Sequence, residues 1–142
     1  MNLYLWVALG SAIGGCLRYA LGREMLPHHN ASFPWATVLI NIIGSFIIGF
    51  FGTLTVTGSR WAVPESTRIF VMVGICGGFT TFSSFSLQTF DLMRSGYWGR
   101  ALLNVGLSVI LCLGAVALGH WIAQQSSHAV AIAQVQEEEY TG

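Results

Sequence analysis

Apolar residues run through this chain in four long blocks: Leu3 to Leu21, Trp35 to Val56, Ile69 to Met93 and Trp98 to Ile122. Each reaches the roughly 20 residues that a helix needs to cross a hydrocarbon core about 30 Å thick, so the pattern predicts an all-α membrane protein of four transmembrane helices. The links are short and polar. They run from Arg23 to Phe33 with Pro27, His28, His29 and Asn30, from Thr57 to Arg68 with Gly58, Arg60 and Pro64, and from Arg94 to Gly96. None can fold as a soluble domain, which divides the chain into a transmembrane domain over 1–124 and a polar tail over 125–142. That tail ends in Glu137, Glu138 and Glu139 and is expected outside the bilayer, frayed or as a short helical end. Tyr4, Trp6, Trp35, Trp61, Trp98 and Trp121 fall near block ends, where amphipathic rings anchor helices at the headgroups.

The third block is interrupted by its own chemistry. Gly74 to Ser86 reads GICGGFTTFSSFS, where Gly77 and Gly78 weaken a helix and Thr80, Thr81, Ser83, Ser84 and Ser86 can bond freed backbone groups. A break near Gly77 to Thr80 is expected, and it makes the third helix a broken one. Non-helical backbone at membrane depth survives only where protein or a water-filled path covers it, and half-helix ends there present partial charges to an ion or substrate.

Within the second block Thr37, Asn41, Ser45 and Gly49 recur every four residues, and Asn104, Ser108 and Cys112 repeat that spacing in the fourth. Such stripes face protein or a pore, since lipid offers polar groups no partners. Single residues of this kind serve as interhelical glue worth ~0.6 kcal/mol each, but two stripes beside a broken helix favour a conduction path. Phe82 and Phe85 share a helical face, with Phe79 one step back. Their ring edges carry positive charge that can meet an anion, while Thr, Ser and Asn supply donors in place of water. In the first block Gly10, Ser11, Gly14 and Gly15 allow close helix approach, with packing between subunits as the expected use. Arg18, one turn on, is expected to snorkel, to pair with Glu24, or to attract anions at a vestibule.

Composition narrows the choice further. The chain is 54% hydrophobic and 8% charged with zero formal net charge and no lysine, so no basic surface exists for nucleic acid. Cys16, Cys76 and Cys112 stand apart and odd in number, which predicts neither disulfides nor a zinc site. Paired carboxylates for acid–base work, histidine ligand sets and a phosphate-binding loop are all missing from the sequence, leaving an enzyme the weakest reading. Arg60 and Arg68 fall on one side of the bilayer, and Arg23, Arg94 and Arg100 on the other. This near balance predicts dual topology, with copies inserted both ways and paired antiparallel.

The segments TVLINIIGSFIIG, GGFTTFSSFS and ALLNVGLS, with the G-x-x-x-G-G-x-x-R pattern from Gly10 to Arg18, together resemble the CrcB/Fluc fluoride channels. The resemblance spans Leu3 to Ile122 and implies an antiparallel, dual-topology homodimer in the plasma or inner membrane, multi-pass, with two fluoride pores lined by both subunits. It implies that Phe82 and Phe85 turn ring edges to fluoride, that Asn41 is the pore asparagine, and that Ser108 and Thr37 are polar pore residues. Arg18 would sit near the vestibule. The backbone carbonyls of Gly77 and Thr80 would hold a structural sodium ion (Na+) at the dimer centre. Gln88 and Asn104 depart from the family pattern, which has Glu and in some relatives Tyr there. Passive export fits the physics, since each anion leaving a negative interior gains about 2.3 kcal/mol per 100 mV. A proton-coupled multidrug exporter of similar size is the first rival, but it needs a membrane-embedded carboxylate, and Asp91 lies near a block end. A non-transporting membrane subunit is the second.

Overall fold

The computed structural model describes residues 2–25, 33–56, 59 and 61–141, with 127–141 as backbone only. Thr57, Gly58, Arg60 and the segment 26–32, including the paired histidines, lie outside the described residues. The elements are α1 (Leu3–Met25), α2 (Trp35–Leu54), α3 (Glu65–Arg68), a π-helical segment (Ile69–Cys76), α4 (Gly77–Phe79), α5 (Phe82–Arg94) and α6 (Trp98–Thr141). From α3 to α5 they form one composite 30-residue span, so four helices are long and apolar enough to cross a membrane. The chain is a multi-pass membrane protein.

Each join has a local cause. Gly96, at φ 79°, closes the short α5–α6 turn in the left-handed region. There the Tyr97 amide reaches the Leu92 carbonyl at 2.9 Å and the Gly96 amide reaches Met93 at 3.0 Å, the paired bonds of a Schellman end. Arg68 closes the end of α2. Its Nη1 donates to the Gly52 carbonyl at 3.2 Å and to Thr55 Oγ1 at 2.7 Å, which puts a cation at a helix C-terminus where the macrodipole is negative. The final helix continues without interruption past Gln124 to Thr141, through the tail read as polar and frayed. Its Ala, Gln and Glu content favours helix once outside the bilayer.

Two backbone-close crossings set the layout. At the first, a methyl group on Gly14 would overlap the Ile75 carbonyl oxygen and stand 2.8 Å from the Phe79 nitrogen, and one on Gly78 would stand 2.5 Å from the Ser11 carbonyl. The small stripe of α1 is thus spent inside the chain, against the third span. This corrects the expectation of subunit packing for Gly10, Ser11 and Gly14, because the third span offers glycines of its own at Gly74 and Gly78 to complete the contact. The second crossing joins α2 to α6, where Gly49 abuts Val116 and a methyl on Gly119 would stand 2.8 Å from the Phe50 nitrogen. Only 11–22% of each span is buried within the chain, so most of its apolar surface is left to lipid or to a second subunit.

The break itself falls one step later than the glycines suggest. Gly77 and Gly78 belong to α4, and the extended residues are Thr80 (φ −76°, ψ 158°) and Thr81 (φ −151°, ψ 107°). The π-helical turns before it have no signature in the sequence pattern.

Candidate functional site

The break opens onto a groove of about 470 Å³ between α2, the third span and α6. Asn41 and Ser45 enter it from α2, Thr80, Phe82 and Phe85 from the two sides of the break, and Ser108 from α6. Every lining residue is uncharged. The aromatic pair is formed as expected: the Phe82 and Phe85 ring centroids lie 5.3 Å apart and tilted by 47°. Phe82 is 79% exposed, whereas Phe79 is 9% exposed and belongs to the interior, because the chain turns between them.

The rest of the groove is organised by hydrogen bonds to the broken backbone. Asn41 reads both faces of one peptide residue: its Oδ1 accepts from the Thr81 amide at 2.8 Å and its Nδ2 donates to the Thr81 carbonyl at 3.3 Å. Thr81 in turn caps α5, its Oγ1 accepting from the Ser84 amide at 3.1 Å. On the upstream side the Cys76 carbonyl accepts from both the amide and the hydroxyl of Thr80, each at 2.9 Å.

One turn beyond Phe85, Thr89 Oγ1 donates to the Phe85 carbonyl at 2.7 Å and accepts from Asn104 Nδ2 at 2.8 Å. The single hydroxyl proton of Thr89 is used on Phe85, so Asn104 must present its nitrogen, and its orientation is fixed. Asn104, 1% exposed, therefore steadies the helix that carries Phe85, and its Oδ1 and the Gln88 Oε1 are buried without a protein partner. Ser108 Oγ is also buried without one, and it lines the groove.

Two residues expected on the path are not among those lining the groove of this chain. Thr37 is 6% exposed and is not part of the groove lining. Arg18 reaches into the third span instead of towards Glu24: its Nε donates to the Gly78 carbonyl at 3.2 Å, replacing a donor that the break removed. Gly77 and Thr80 both line the groove. Thr81 takes the part expected of the hydroxyls in this run, bonding a backbone amide that the break sets free, whereas the role of Thr89 escaped the sequence reading, although a hydroxyl four residues past Phe85 is the signal that could have exposed it.

Chemically, the groove offers hydroxyl and amide donors and aromatic edges without a fixed charge. Such a lining can replace part of an anion's water without binding it tightly. No carboxylate is among its lining residues, and Asp91 is exposed on α5.

Residues 5–120 match the family model described as CrcB-like protein, Camphor Resistance (CrcB). A protein of Methylocella silvestris described as a fluoride-specific ion channel FluC is 57% identical over 120 residues, 84% of this chain and 92% of its own. One of Gluconobacter oxydans with the same description is 54% identical over 137 residues, 95% of this chain and 94% of its own. A third, from Paramagnetospirillum magneticum, reaches 58% over 120 residues, 84% and 94% of the two chains.

Proposed function

The chain belongs to the CrcB-like family, and from that premise we propose that it is a fluoride-selective passive channel exporting fluoride from the cytoplasm. The relatives' descriptions supply the ion. The observation that carries the reading for this chain is the groove, walled by neutral donors and by Phe82 and Phe85, with the Ser108 hydroxyl buried and unpartnered in it. A small, strongly hydrated anion needs replacement donors spaced closely enough to hand it on, and weak enough to release it. Ser108, Ser45 and the remaining N–H of Asn41 are such donors, and the rings of Phe82 and Phe85 add positive edges between them. Thr37 and Arg18 do not line the groove of a single chain; we assign them to the approaches of the path in the assembled protein, Arg18 through its place beside the break.

The groove is open on one side, with Phe82 projecting from it, which supports a second subunit closing the path. The near-equal arginine distribution supports an antiparallel, dual-topology homodimer, which would give two equivalent paths. The carbonyls of Gly77 and Thr80 fit a structural sodium ion. They are neutral oxygens of two residues that line the groove, and the amide donors they would have in a continuous helix, Thr81 and Ser84, are committed to Asn41 and to Thr81 Oγ1. Bound there, the cation would supply positive charge at the subunit junction.

Efflux from liposomes containing the purified protein tests the proposal, with fluoride or chloride inside and an ionophore carrying compensating potassium. Rapid fluoride loss with chloride retained is expected. Retention of both ions by correctly assembled protein would reject it.

A further inference from the structure

We infer that the side chains of Asn41 and Thr81 are positioning residues whose task is to divert two amide donors at the break, leaving the Gly77 and Thr80 carbonyls free to bind a cation. In an unbroken α-helix the Thr81 amide bonds to the Gly77 carbonyl and the Ser84 amide to the Thr80 carbonyl. Here the first goes to Asn41 Oδ1 at 2.8 Å and the second to Thr81 Oγ1 at 3.1 Å. The two carbonyls released are the pair assigned above to sodium, and the inference rests on that reading. Neighbouring carbonyls are treated differently. Cys76 accepts from Thr80 twice and Gly78 accepts from Arg18, so both are already satisfied.

The arrangement explains why Asn41 spends both ends of its amide on one residue. Its Nδ2 bond to the Thr81 carbonyl, at 3.3 Å, fixes the plane of the amide so that Oδ1 faces the Thr81 N–H. Thr81 is buried and extended, a backbone conformation from which its hydroxyl reaches forward to Ser84. Without Asn41 the Thr81 amide is a buried donor with no partner, and the nearest remedy is to return to Gly77 and occupy the cation's ligand. Without the Thr81 hydroxyl the Ser84 amide can return to Thr80 in the same way. Asn41 therefore does two jobs on opposite sides of its amide: it lines the anion path and it prepares the cation site.

The test measures sodium binding apart from flux. Purified full-length protein, exchanged into N-methylglucamine, is titrated with sodium while its thermal unfolding midpoint is followed. Asn41→Ala and Thr81→Val are expected to need roughly tenfold more sodium than the unaltered chain for half of the sodium-dependent stabilisation, about 1.4 kcal/mol. Thr81→Ser keeps the hydroxyl and should restore the unaltered sodium dependence. Asn41→Asp keeps an acceptor for the Thr81 amide, so it should bind sodium at least as tightly while losing fluoride efflux, because it puts an anion beside the anion path. Asn41→Ala and Thr81→Val with an unaltered sodium midpoint, however unstable without sodium, would overturn the inference and leave the sodium reading intact. An unaltered chain that sodium does not stabilise would overturn both.

Discussion

Gly14 gives the sharpest test of how α1 holds the broken span. In Gly14→Ala the new methyl group meets the Ile75 carbonyl oxygen, the Phe79 nitrogen at 2.8 Å and the Gly78 carbonyl carbon at 3.1 Å, all of them backbone atoms. No rotamer can relieve this, so the two helices must move apart by roughly 1 Å at their closest point to regain ordinary contact. Overpacking of that kind costs about 1–3 kcal/mol, and three backbone atoms of the third span, none able to swing aside, put this case in the upper half. The matched control is Gly22→Ala on the same helix, where a methyl group meets nothing within 4 Å. Both variants gain about 1 kcal/mol of helix propensity, so that term cancels in the comparison. Gly14→Ala should therefore unfold of the order of 5–10 °C below Gly22→Ala in detergent. It should also lose fluoride efflux, because separating the helices pulls Gly78 from Arg18. Equal unfolding midpoints for the two variants would show that α1 does not contact the third span as described.

Other substitutions probe the groove more directly. Phe82→Ile keeps apolar bulk but removes the ring edge, and it should cut fluoride flux at least tenfold in the liposome assay with the oligomeric state unchanged; undiminished flux would remove the ring edge from the path. Ser108→Ala deletes a buried, unpartnered hydroxyl and should slow fluoride efflux without lowering the unfolding midpoint. Asn104→Ala, by contrast, breaks the α5–α6 link to Thr89 and should cost about 0.6–1.5 kcal/mol of stability, read as a lower unfolding midpoint.

The spans were legible because lipid demands uninterrupted apolar length, a property that sequence displays openly. The groove was legible in part for a related reason: polar residues in apolar helices need partners, so Asn41, Ser45 and Ser108 announce an inward face. Position within that face was harder to read. Thr37 follows the same four-residue spacing as Asn41 yet stays off the groove lining, since where α2 meets its neighbours depends on the Gly49 and Gly119 crossing, far away in sequence. The break was legible to within a residue, at the far end of the expected Gly77 to Thr80 stretch. Gly78 is small so that Ser11 can approach, and the extended residues are two threonines whose β-branched side chains favour that conformation. The bond from Arg18 to Gly78 was not legible, because a free carbonyl acceptor inside the protein exists only once the break is known.

A lining without fixed charge also sets how the path responds to load. If ions are held as weakly as a neutral lining implies, site occupancy follows concentration, and throughput would rise in step with the amount of fluoride present without a separate sensor. The same neutrality holds no anion by charge, so on the proposed reading the choice among anions falls to how closely the hydroxyls, amide and ring edges of the groove replace each ion's water.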